Sequence, residues 1–547
     1  MREKLYILIA LLSIIGCSRP KKSHNIAVIK GRVTYDRVSV KIESGGVARL
    51  DYSNIIELPS RGVLVKAMDV NGSIVATTST DMDGRYSFRV PINRDIKVRV
   101  HAEMFKDGYW DVKVVDNTNG GAIYVMDGGY HNSHRGVSVR NLHAKSGWTG
   151  YGYGKPRVSA PFAILDSIYQ AMERVREADS SVRFPLLTVN WSINNVPTAG
   201  DESSGQIITS NYDGERNLWI LGDENGDTDE FDDHIIIHEW AHYFEDQFSR
   251  ADNIGGSHSL GDALDIRVAF GEGWGNAFSG IATDNPIYFD TSGYRQSTGW
   301  YMDLESGEPE SAGWYSEGSV QRILYDLYDD NNEQGDNTSL GFKPIYDVLV
   351  GAEKITPAFT SIFSFIDALK RENSQYIDGI DMTLESENIN SIIDPYGTNR
   401  LNMGNIPLYK DIAVGDTIDI CTRDEFGVYN KLGNRVYVKL HIDRGGLYRI
   451  DADSTSIYSG DPDFILYTTG YPHREIAISQ LEGSHRDYIS VNLKRGDYLL
   501  DIYDASFNDT CITISLNKEK IKYNQRGRNS IISKGKHRRV PPKIQYY

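Results

Sequence analysis

The chain has 547 residues, 40% apolar and 24% charged, with a net charge of −17. That length exceeds what one hydrophobic core organises and calls for several domains, and the composition is that of an ordinary soluble globular protein. The acidic balance excludes a nucleic-acid binder, which needs a basic surface against phosphate, but identifies no partner. The 34 Tyr and 51 Gly, set among Ser/Thr/Asp/Asn clusters, favour strands and loops over helical bundles.

Residues 1–16 read as a signal peptide. A short basic start precedes an apolar run from Leu5 to Ile15, too short to span a bilayer comfortably. An uncleaved or differently cleaved signal is the other reading. The ending "IIGC" resembles the lipobox of bacterial lipoproteins. That resemblance implies an acylated Cys17 that attaches an exported protein to the membrane, with Ser18 directing it to the outer membrane. After a linker over 17–25, residues 26–150 hold short alternating segments such as "IKGRVTY", "GRYSFRVP" and "DIKVRVHAEM". Period-2 alternation between Asn-Gly and Asp-Gly turns predicts an antiparallel sandwich and a connecting segment. Thr77–Pro91, with its Thr-Asp-x-Asp-Gly-x-Tyr turn, resembles the regulatory-like β-sandwich beside many carboxypeptidases, a module expected to pack or present.

The pattern changes over 151–402. Helical spacing predicts helices at Ser159–Ala178, Asp265–Ala282, Ser319–Tyr328 and Phe359–Glu372, with strands in "PLLTVNWSI" and "RNLWILG". The latter is either an edge on which an extended substrate aligns or an interior strand. The acidic run "DENGDTDEFDD", Asp223–Asp233, offers oxygen ligands for a structural Ca²⁺, or charges that cap the next helix and face water.

That next helix carries His238-Glu239-Trp240-Ala241-His242. Positions four apart on a helix lie one above the other, so both imidazoles can share one ion. Zn²⁺ suits neutral imidazole plus carboxylate and makes hydroxide available from its bound water, with Glu239 taking and returning the proton. That is hydrolysis chemistry, most often of an amide bond; a surface helix carrying two histidines is the bland alternative. A catalytic zinc wants a third protein ligand and an open position. Glu245 and Phe248 stand where a metzincin has Gly and His, so the third ligand comes from elsewhere. Glu272, in "VAFGEGWGNAFSGIA" thirty residues after His242, is the candidate.

"HEWAHYFED" followed by "FGEGWGNAF" resembles the fungalysin and thermolysin-like gluzincin peptidases. The resemblance implies that His238, His242 and Glu272 bind zinc and that Glu239 is the general base. It also implies a residue four after the glutamate ligand that holds a ligand histidine; Asn276 stands there in place of the usual Asp, an acceptor without charge. "WYSEGSVQRILYDLYDD" resembles the next helix of fungalysins but lacks an upstream oxyanion-binding His, leaving Tyr315 as substitute or as a packed tyrosine. His234, one turn before His238, reads as structural on helix geometry. His258, in the loop "GGSHSLGD", either approaches the site or is solvated.

Alternation returns over 403–517. "SGDPDFILYTTG" and "LKRGDYLLDIYD" resemble the bacterial pre-peptidase C-terminal domain. Cys421 and Cys511 lie near the ends of this block; export permits a disulfide, and paired and unpaired states both remain open. Residues 518–547 read as a basic disordered tail, either solvated or touching anionic lipid or glycan. The expected architecture is multidomain: an α+β zincin-like catalytic domain flanked by N-terminal and C-terminal all-β sandwiches. The expected function is zinc-dependent endopeptidase action on a protein or peptide substrate. The rival is a non-catalytic surface lipoprotein that binds glycan or host protein on a degenerate peptidase scaffold.

Overall fold

The computed structural model describes residues 25–306, 311–331, 338–398, 408–455 and 460–519. The signal segment, Cys17 and all but the first two residues of the basic tail lie outside the described residues.

In the N-terminal part the alternation read from the sequence becomes sheet. The strands are β1 (Ile26–Glu43), β2 (Val47–Pro59), β3 (Val63–Asp69), β4 (Ile74–Ser79), β5 (Arg85–Pro91), β6 (Asp95–Lys106) and β7 (Trp110–Asp116). Short strands follow: β8 (Ala122–Ile123), β9 (Val125–Asp127), β10 (His131–Asn132), β11 (Val137–Val139) and β12 (Leu142–Ala144). In β5, Tyr86, Phe88 and Val90 are buried while the residues between them face water. β6 buries Ile96, Val98, Val100, Ala102 and Met104 in the same period.

The middle of the chain adds α1 (Ala160–Ala178), β13 (Leu187–Trp191), β14 (Asn211–Tyr212), β15 (Asn217–Ile220), α2 (Asp233–Phe248) and α3 (Ile266–Thr283). Then come β16 (Ile287–Asp290), β17 (Gly299–Asp303), α4 (Glu317–Asp326), α5 (Phe342–Val350), α6 (Ile362–Glu372) and α7 (Ile377–Ser386).

These strands do not form a sheet of their own, and this corrects the expected fold class. β13 pairs in parallel with β7 and with β15, so the order β14-β15-β13-β7-β6-β3-β4 runs through one sheet. β17 pairs with β2, extending a second sheet in the order β11-β1-β2-β17-β16. One hydrophobic core runs from Ala27 through the helices to Leu499. Of the described residues, 38% are strand and 22% helix. A separate α+β zincin-like domain between two independent sandwiches is therefore not what the chain builds: its helices are a layer on sheets that start near the N-terminus. The physical reason is edge pairing. β7 and β2 would otherwise leave backbone N–H and C=O groups unpaired, and β13 and β17 satisfy them.

The last block is a β-sandwich. Its strands are β18 (Tyr409–Ile412), β19 (Thr417–Cys421), β20 (Arg435–Ile442), β21 (Gly446–Ser454), β22 (Pro462–Thr468), β23 (Glu475–Ser479), β24 (Arg486–Leu493), β25 (Gly496–Asp504) and β26 (Cys511–Lys518). Two sheets, β18-β20-β25-β22-β23 and β19-β26-β21-β24, enclose a core of their own that includes Val438, Ile450, Phe464, Leu500 and Ile514. Cys421 and Cys511, opposite one another on β19 and β26, form a disulfide. A buried network docks this sandwich onto α3. Arg267 bonds Asp265 and, at 3.0 Å, Asp501 of β25, while the Tyr437 hydroxyl donates to Asp265 at 2.5 Å.

Candidate metal centre

Helix α2 is held at both ends and along one face. Ile236, Ile237, Trp240, Ala241 and Phe244 are fully buried. At its start Asp233 pairs with Arg37 of β1 and accepts from Ser167 of α1. Alongside, Trp274 of α3 donates to the Ala241 carbonyl at 3.2 Å, which sets the register between α2 and α3. Gly275 permits the close approach: a Cβ there would stand 2.7 Å from the His238 ring.

The three residues expected as metal ligands converge. His238 Nε2 lies 3.1 Å from His242 Nε2 and 3.2 Å from Glu272 Oε2, and His242 Nε2 lies 3.4 Å from that same oxygen. Zn–N and Zn–O bonds of about 2.0–2.1 Å in a tetrahedron require ligand edges of roughly 3.3 Å. All three edges match, so the donors fit zinc by both chemistry and spacing.

Each ligand is aimed by a neighbour. His238 Nδ1–H donates to Asn276 Oδ1 at 2.9 Å, leaving the Nε2 lone pair for a metal. The Asn276 amide donates to Gln321 Oε1 of α4 at 3.0 Å, which fixes its oxygen toward the histidine. Glu272 Oε1 accepts from Asn253 at 2.8 Å, turning Oε2 toward the imidazoles. Asn276→Ala is expected to weaken zinc about 10–100-fold. Competition with a chromogenic chelator measures this; unchanged affinity would remove Asn276 from the site.

Glu239 shares a cleft of about 1060 Å³ with the ligands. Burial pushes its carboxyl up to about 7; His238 pulls down and Glu272 pushes up. Glu272 itself resists burial's upward push, because His258 and His242 hold it well below the usual carboxylate range.

His258 takes the first of its two readings and approaches the site. Its Nε2 stands 3.3 Å from Glu272 Oε2, and its Nδ1 lies 2.7 Å from Glu317 Oε2 of α4. Burial opposes its charge, yet Glu272 and Glu317 overcome that and hold the imidazole up to about 10. It is not one of the His238, His242 and Glu272 donors that lie within 4.8 Å of one another. The C-terminal sandwich supports its loop: Asn430 donates to the carbonyls of Gly255 and Ser257, and Lys431 to that of Ser257.

Other expected residues lie apart. The Tyr315 hydroxyl donates to the Ala312 carbonyl at 3.1 Å, and its ring packs edge-on against Trp314 in the core, away from the cleft lining. It is therefore corrected from oxyanion donor to packing residue. His234 is buried, bonds the Asn285 carbonyl at 3.1 Å, and is pushed down to about 4 by burial. β15, the "RNLWILG" strand, is interior; the sheet edge facing the cleft is β14, and Thr209–Gly214 line the opening. Sequence reading missed Asn253, Gln321 and Glu317. Glu317 and Gln321 carried a signal, lying in the stretch already compared with fungalysins, where the search was for a histidine and not for a histidine's partner.

No protein-family model matches the sequence, and the comparison with curated proteins finds no match. Among solved structures, the pre-peptidase C-terminal domain of collagenase from Bacillus anthracis matches 20% of this chain over 93% of its own length, at 16% identity and a TM-score of 0.17. PliG of Aeromonas hydrophila, a periplasmic inhibitor of g-type lysozyme, matches 20% of this chain over 98% of its own, at 14% identity and a TM-score of 0.14. The Yersinia pseudotuberculosis-derived mitogen matches 20% over 90%, at 13% identity and a TM-score of 0.15. At these scores they carry no argument about the cleft. Among the described residues no helix is long and apolar enough to cross a membrane.

Proposed function

We propose that the protein is a zinc-dependent peptidase of gluzincin type that cuts peptide bonds within a chain. The observation that carries the reading is the triangle of His238, His242 and Glu272 donor atoms, 3.1–3.4 Å on each edge, with Glu239 in the same cleft. Zinc, when bound, supplies a Lewis acid that polarises a carbonyl and acidifies water. Glu239 takes the proton from the attacking water and passes it to the leaving nitrogen, so one C–N bond breaks as one C–O bond forms. The His258 side chain, charged and backed by Glu317, donates to the oxygen on which negative charge develops. An extended segment is held along β14, whose free edge faces the cleft.

The binding-protein reading drew on the lack of an oxyanion histidine; in the peptidase reading that role is assigned to His258, backed by Glu317, from a different place in the sequence. His258→Ala is expected to lower kcat/KM about 10²–10³-fold while one zinc per chain remains. Loss of zinc together with activity would instead make His258 a ligand. The motif at Cys17 supports export as a lipoprotein, with the outer membrane as destination.

The test of the reading is cleavage of casein and a mixed peptide library by metal-freed protein before and after one equivalent of zinc. Internal cuts that return with zinc are expected. Bound zinc with no cleavage of any library member would favour the non-catalytic reading.

A further inference from the structure

A second cluster of oxygen donors lies at the end of β16, where Asp290 also lines the cleft. Carboxylate oxygens of Asp227, Asp229 and Asp290 lie within 4.8 Å of one another. The first two come from the loop before α2 and the third from the end of β16, far apart in sequence. In each of the three, Oδ1 is buried with no hydrogen-bond partner. Asp229 is only 2% exposed; its other oxygen is used by Ser210, which leaves Oδ1 facing the cluster. Three carboxylates drawn together without a donor between them repel strongly in a region of low dielectric.

The surrounding bonds hold the cluster in place without neutralising it. Asp232 is fully engaged with Thr291, accepting from its backbone N–H at 2.7 Å and from its hydroxyl. Gly293 N–H donates to the Gly226 carbonyl at 2.7 Å, and Asp227 bridges to Ser292. The nearby Arg157 is committed to Glu230, Thr228 and the Gly222 carbonyl. Burial first, and then the neighbouring carboxylates, push Asp227 and Asp229 above the usual carboxylate range; burial does the same to Asp290.

We propose that Asp227, Asp229 and Asp290 hold one structural Ca²⁺ that clamps the loop leading into α2 onto β16. An all-oxygen, carboxylate-rich set suits a hard cation and disfavours Zn²⁺, which prefers nitrogen and sulfur partners. Calcium tolerates an irregular shell completed by carbonyls or water, whereas Mg²⁺ demands near-octahedral order. The clamp bears on the metal centre indirectly. Asp290 pairs across the hairpin with Trp300, and Tyr288 and Trp300 form one wall of the cleft. This site is independent of the peptidase reading and of the acidic residues Asp223 and Glu224 earlier in the same run.

The experiment is calcium titration of the zinc-loaded protein freed of other divalent ions, followed by calorimetry and by thermal unfolding. One saturable site between about 10⁻⁶ and 10⁻³ M is expected, with a Tm that climbs as calcium rises. An equal concentration of Mg²⁺ should give a much smaller rise. Asp229→Asn and Asp290→Asn should each weaken calcium at least tenfold while remaining folded by circular dichroism, since each removes a repelling charge. No calcium binding by the wild type at millimolar concentration overturns the proposal. So does binding that both variants leave unchanged. Neither readout depends on peptide cleavage, so failure here and failure of the peptidase reading are distinguishable.

Discussion

Glu239→Gln is expected to lower kcat/KM about 10²–10⁴-fold while leaving one zinc per chain and an unchanged unfolding temperature. The substitution keeps size and shape but removes the group that accepts and returns the proton. Glu239 sits beside His238 and not within the triangle of donor atoms, so the metal does not depend on it. Its carboxyl, held up to about 7 chiefly by burial, also sets the sign of the pH response. The base works only when deprotonated, so activity falls as pH drops through its pKa. A bound cation can only lower that pKa, which places the acid limb of kcat/KM at or below about pH 7. In Glu239→Gln the residual rate should lack that limb. Undiminished cleavage by the variant would remove Glu239 from the chemistry.

Glu272→Ala is expected to act earlier, on the metal itself. Its Oε2 forms two of the three edges of the donor triangle, and no other carboxylate of the described residues joins the imidazoles there. Zinc should weaken by more than the roughly 10–100-fold that a supporting partner is worth, and activity should vanish at ordinary zinc levels. Excess zinc should restore only part of it, because two imidazoles alone hold the ion loosely. The loss is read by zinc content after gel filtration. A variant that keeps stoichiometric zinc would show that the ion is held by other groups.

Local pattern carried the candidate metal ligands, and partners distant in sequence escaped it. The i, i+4 pair in "HEWAH" fixes two imidazoles on one helix face, so spacing alone foretold their meeting. Helices α1, α2, α3, α4 and α6 occupy stretches with clear apolar periodicity. α5 and α7 were not foreseen: Phe342–Val350 and Ile377–Ser386 are short helices of 9 and 10 residues, too few turns for a periodic pattern to repeat. The sheet continuity was invisible for a different reason. Nothing in "PLLTVNWSI" says that it pairs with Trp110–Asp116, because strand partners are chosen by the whole fold and not by the strand. The same limit hid the His258–Glu317 pair, the grip of Asn253 on Glu272, and the third carboxylate of the acidic cluster. In each case one residue was in view and its partner lay on another element, so Tyr315, inside the stretch that resembles the next fungalysin helix, was chosen over His258.

The direct test of the central claim is zinc K-edge X-ray absorption on the purified protein at one zinc per chain. The donor triangle predicts a four-coordinate ion with two imidazole nitrogens and one carboxylate oxygen from the protein at about 2.0–2.1 Å, and a fourth, exchangeable oxygen. A shell without two imidazoles, or one closed by four protein donors, would contradict it.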